Sequence, residues 1–156
     1  MSGRHAACVD AWLGRSAKSL SAEALLGLFE AALGALWART STPLGEVTLT
    51  AIAERVLYDA SERFPLFATL KVEPSEGIQC RELRARIDSV SAAGLRDAIR
   101  FVLVELLTVL GNLTAEILTP ELHAELSSVV LPKATRVPGD ARRGGPRETA
   151  GKDKNS

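Results

Sequence analysis

Residues 95–118 place the strongest constraint on the fold, because apolar side chains in this stretch surround almost the whole helical circumference: Leu95, Ile99, Val102, Leu103, Leu106, Val109, Leu110, Leu113 and Ile117. At about 100° per residue, Leu95, Ile99, Val102, Leu106, Val109 and Leu113 form a heptad-like seam. A second apolar strip runs through Val104, Leu107, Gly111 and Leu118, with Gly111 giving room for close backbone approach. Glu105, Thr108, Asn112 and Glu116 form a polar line between them. Such a helix needs two covering layers, supplied by its own chain or by a second copy.

A bilayer is a poor third choice. The longest unbroken apolar run in the stretch is four residues, 101–104, and Glu105, Asn112 and Glu116 would lie at hydrocarbon depth at a cost of several kcal/mol per ionised group. No membrane span is expected.

The 156-residue chain is 46% hydrophobic and only 4% aromatic. Its apolar content is carried by Ala and Leu, which lose little side-chain freedom in helices. The expected fold is therefore mainly α: a bundle of four to five helices over residues 6–131, with a possible small hairpin at about 66–80. Charge divides the chain. Residues 1–131 carry 12 Lys and Arg against 16 Asp and Glu, a net of −4, whereas 132–156 carry seven against three, a net of +4. The latter segment is rich in Pro, Gly and charge, has almost nothing to bury, and is expected to be a disordered basic tail.

Local signals divide the body. Ser21 precedes Ala22, Glu23 and a periodic apolar run, which predicts a capped helix over 22–39, ended by Thr42, Pro43 and Gly45. A second helix is expected over 47–64 and stopped by Pro65. Alternation from Leu66 to Val72, a Pro74–Gly77 turn and Ile78 with Cys80 predict the hairpin. Leu83, Ile87 and Val90 mark a short helix at 81–90, and Thr119 with Pro120 and Glu121 predicts a capped last helix.

Chemistry-bearing patterns are sparse. Cys8 and Cys80 stand 72 positions apart with no CxxC, so neither a disulfide framework nor a zinc cluster is expected. Arg4, Arg15 and Lys18 precede the apolar segment 24–38, but Glu30 interrupts it and no small-x-small cleavage site follows, so a reduced, cytoplasmic setting is expected. His123 lies near Glu121 and Glu125 without the i, i+3 or i, i+4 spacing of helical metal ligands, and His5 falls in a segment expected to fray. Glu105 and Glu116 are eleven residues apart, roughly 16 Å along a helix, too far to act on one bond. GxSxG, P-loop and GxGxxG patterns are all lacking. No cofactor, metal or catalytic residue is expected.

Interaction patterns remain. Gly27, Ala31, Gly34 and Ala38 line one face of the first predicted helix, and two glycines there cost roughly 1 kcal/mol each in helix propensity, which close packing would offset. Together with Val104, Leu107 and Gly111 they are the expected interface of a non-enzymatic, self-associating regulatory or adaptor module, with a homodimer as the expected assembly. Three rival readings are a small-molecule sensor with a pocket of Phe29, Trp37, Phe101 and Leu103, an enzyme using Glu105 or the cluster Arg81, Arg84 and Arg86, and a nucleic-acid accessory acting through Arg142, Arg143 and Arg147 of the tail. Arg81, Arg84 and Arg86 form a candidate anion-binding cluster, interleaved with Glu82 and Asp88.

Overall fold

The computed structural model describes residues 3–131; the expected tail at 132–156 lies outside them. The described chain is mainly helical, with a two-stranded antiparallel sheet. Its elements are α1 (Gly3–Ser16), α2 (Ala22–Leu44), α3 (Glu46–Arg63), β1 (Lys71–Glu73), β2 (Gly77–Gln79), α4 (Arg81–Ala85), α5 (Ala92–Leu113) and α6 (Thr119–Ser127).

Helix α5 is the axis. It packs against α1, α2, α3 and α6, which together supply the covering layers that its two apolar strips require. Leu95, Ala98, Ile99, Val102, Leu103, Leu106, Leu107 and Leu110 are all buried on it. Val109 is half-buried, and Leu113, where the seam runs out of partners, is exposed.

Helix α1 is an element that sequence patterning did not anticipate. Val9, Trp12 and Leu13 are buried along it, Ala17 just past its end, and His5 one turn before Val9. Each large apolar side chain so buried contributes ~1.5–3 kcal/mol, which anchors a segment that propensity alone leaves free to fray. The Trp12 indole N–H donates to the Val129 carbonyl at 2.9 Å, and Arg100 binds Asp10 through two hydrogen bonds at 2.6 and 3.2 Å.

Ser21 caps α2 as expected, its hydroxyl accepting from the Ala24 N–H at 3.2 Å. The helix runs past Pro43, because proline near a C-terminus removes one amide donor without disturbing many following turns. Gly45 ends it instead, at φ 84°, with its N–H donating to the Ser41 carbonyl. The hairpin is shorter than its alternation implied: Pro65–Thr69 form a 3₁₀ turn that buries Phe67 and Leu70, three residues apart, and only Lys71↔Gln79, Val72↔Ile78 and Glu73↔Gly77 pair. The short helix expected at 81–90 divides into α4 and a 3₁₀ turn at Ile87–Ser89.

Helix α5 ends five residues before the expected Leu118. Ala115 and Glu116 both take left-handed backbone, at φ 53° and 66°, and the Glu116 N–H returns to the Gly111 carbonyl at 2.7 Å. Glu116 is therefore off the helix and not on its polar edge. Thr119 does not cap α6 either, since its hydroxyl donates to the Glu116 carboxylate.

Candidate functional site

The small-residue face of α2 is covered at one end and open at the other. At Gly27 a Cβ would lie 3.9 Å from a Leu131 methyl; Ala31 is half-buried, and Gly34 and Ala38 are exposed, with nothing within 4 Å of a Cβ built at Gly34. Because α6 runs antiparallel to α2, its start sits beside the open end. There Ala35, Ala38, Thr42, Pro43 and Leu118 line a groove of about 600 Å³ open to solvent. Its charged rim is Arg39, which binds Glu125 at 2.9 Å and lies 3.9 Å from Glu121.

The α5 residues expected on the same interface behave differently. Val104 is half-buried, Leu107 is fully buried by its own chain, and Gly111 is covered by Glu116, whose carboxylate oxygen would stand 2.8 Å from a Cβ at that position. Leu107 and Gly111 thus offer no free surface. The room at Gly111 is filled from within the chain.

The four proposed pocket residues do not surround a common space. Phe29 and Leu103 are fully buried, Phe29 stacking on Phe67 at 5.6 Å; Phe101 packs on Phe64 under the Arg63 guanidinium, and Trp37 covers the hairpin at Gly77. The enclosed cavity beside Trp37, Leu36, Leu106 and Leu110 is about 10 Å³, no larger than one water requires. Arg81, Arg84 and Arg86 are engaged separately or point to solvent: Arg84 is ion-paired with Glu30, Glu82 binds Lys71 at 3.0 Å, and Arg81 and Arg86 are exposed.

A polar cluster that local spacing could not reveal lies where α1 meets α6. His5 is 1% exposed, and its Nδ1 is 2.9 Å from Nε2 of His123, with the rings edge to face. On its other side, His5 Nε2 has no hydrogen-bond partner and faces the Glu116 carboxylate at 3.6 Å. Arg4 approaches the same carboxylate at 3.5 Å, Thr119 donates to it, and the Cys8 thiol points at the His123 carbonyl at 4.0 Å. Its two histidines stand 118 positions apart in sequence.

Electrostatics follow from these contacts. Burial holds His5 below the ordinary histidine value, with Arg4 adding to the effect and Glu116 opposing it. His123 is lowered by burial first, then by His5 and Arg4. The Thr119 hydrogen bond, helped by Arg4 and His5, keeps Glu116 below the usual carboxylate range against a desolvation penalty. Burial pushes the Cys8 thiol up.

His5 is 1% exposed and closed to a substrate, whereas His123 is only half-buried. Among the described residues no three His, Cys, Asp or Glu side chains are arranged to hold a metal, and no helix is long and apolar enough to cross a membrane. No protein-family model, no curated protein and no solved structure matches the chain.

Proposed function

We propose that the chain is a non-enzymatic interaction module, of regulatory or adaptor type, that pairs with a second copy of itself through the open end of α2 and the groove beside α6. The observation that supports this reading is the pairing of exposed Gly34 and Ala38 with a groove whose floor is apolar and whose rim carries both signs of charge, Arg39 against Glu121 and Glu125. A helix laid along Gly34 and Ala38 comes close to the α2 backbone, which increases van der Waals contact per residue. A two-fold axis sets the same patch against itself. Each Arg39 then has carboxylates of the opposite copy within reach in place of its own, so the rim fixes register at little net electrostatic cost.

Light scattering over a dilution series tests it, comparing the native chain with Gly34→Leu. Position 34 has open space around it, so a leucine there leaves the monomer fold intact while blocking close helix approach; circular dichroism verifies the fold. A concentration-dependent dimer that Gly34→Leu abolishes supports the proposal. A native chain that stays monomeric at its solubility limit, or a dimer indifferent to Gly34→Leu, overturns it.

A further inference from the structure

We infer that the half-buried His5–His123 contact is a pH-sensitive latch that holds α1 against α6 and releases it on acidification. The contact joins two ring nitrogens at 2.9 Å, and it is a hydrogen bond only while one of them is bare. A first added proton leaves this hydrogen bond in place. It settles on His5 Nε2, which is otherwise unpartnered and faces the Glu116 carboxylate at 3.6 Å, so that His5 Nδ1–H donates to the bare His123 Nε2. A second proton has only His123 Nε2 to occupy. That sets two N–H groups head to head and two imidazolium rings side by side, with Arg4 adding positive charge from α1. Of the groups facing the pair, Glu116 is the one that offsets this charge; the Cys8 thiol on α1 stays protonated and neutral throughout.

The sign follows from the direction of the shifts. Both histidines are held below 6.5 in the folded chain, so the closed form binds protons less readily than the open one. The latch is at full strength above pH 6.5 and weakens as pH falls below it. Glu116 loses its charge only below its ordinary 4.5, which leaves a window between 6.5 and 4.5 in which the histidines take up protons while Glu116 keeps its charge. Within it the open-to-closed ratio rises about ten-fold per pH unit for each proton the open form holds in excess.

Trp12 is the built-in reporter, fully buried on α1 and bonded to the Val129 carbonyl just beyond α6. Its emission is followed from pH 8 to 4.5 in a Trp37→Phe background, alongside far-ultraviolet circular dichroism. The expected result is a reversible red shift inside the window with helicity largely retained, absent in His123→Gln, whose amide N–H still donates to His5 Nδ1 but which cannot take the second proton. No shift across the window, or an equal shift in His123→Gln, overturns the latch. Should that variant fail to fold, imidazole ¹⁵N titration of the native chain decides the matter. One histidine titrating well below the other, together with the Trp12 shift, supports the latch; both titrating near 6.5 with Trp12 unchanged overturns it.

Discussion

Trp12→Phe measures how firmly α1 belongs to the core. The indole is 0% exposed and its N–H donates to the Val129 carbonyl at 2.9 Å, linking the first described helix to the end of the described chain. Phenylalanine leaves that carbonyl without its donor, which costs ~1–2 kcal/mol. The ring atoms it removes leave a gap in the core that adds ~1–2 kcal/mol of lost transfer and cavity energy. The expected total of roughly 2–4 kcal/mol is a large share of the 5–15 kcal/mol typical of a domain, and at about 3–5 °C per kcal/mol the melting temperature falls by 6 °C or more. Urea unfolding read by circular dichroism is the assay, because the substitution removes a fluorophore, and the m-value should stay constant. Trp37→Phe is the comparison, since Trp37 is only partly buried and its ring lies against Gly77. A cost for Trp12→Phe below ~0.5 kcal/mol, or no greater than that for Trp37→Phe, would refute the placement of α1.

Two shorter tests address the opposite side of the fold. Gly77→Ala forces an L side chain into left-handed backbone at φ 90° with its Cβ 2.9 Å from the rigid Trp37 ring; it should cost ~2–4 kcal/mol in urea unfolding, and a cost under 1 would mean that the hairpin does not sit on α2 as described. Burial pushes the Cys80 thiol up to about 12, so native chain at pH 8 should resist iodoacetamide at Cys80 and lose that protection in urea. Mass spectrometry of the alkylated peptides reads this directly, and prompt native labelling of Cys80 contradicts the packing of β2 against α2 and α3.

Local chemistry explains which elements were legible. Ser21 could be read because its cap bond closes within three residues, and α3 because Leu49, Ala53, Val56 and Ala60 repeat on one stripe. The same reasoning mistook 66–70 for a strand, since Leu66, Ala68 and Leu70 alternate as a strand would, whereas the structure buries Phe67 with Leu70 at the three-residue spacing of a 3₁₀ turn. Val9, Trp12, Leu13 and Ala17 did carry a helical signal for α1, diluted by the small and polar residues between them. The early end of α5 had no local marker. It depends on Glu116 turning back to Gly111, Arg4, His5 and Thr119, and that is decided by tertiary contacts. For the same reason His5 and His123 were unreadable as a pair, because no spacing rule reaches across 118 residues.

The latch and the proposed interface share one piece of chain, which yields an expectation neither gives alone. Helix α6 carries His123 and leads through Val129, held by Trp12, to Leu131, which covers Gly27 at one end of the small-residue face of α2. Releasing α1 removes the Trp12 bond and the Arg15 contact to the Ser127 carbonyl together, so the segment 128–131 loses its anchors on that side. Leu131 is then free to leave Gly27, and the small-residue strip opens at Gly27 as well as at Gly34 and Ala38. Acid should therefore strengthen self-association between pH 6.5 and 4.5, and linkage requires the converse, that dimer formation takes up protons. Sedimentation at several pH values checks both, with the dimer constant expected to rise up to about ten-fold per pH unit for each linked proton. His123→Gln should flatten that slope and leave the neutral-pH constant unchanged. A native dimer constant that is flat or falls across the window would separate the two proposals, leaving the latch to act on α1 alone.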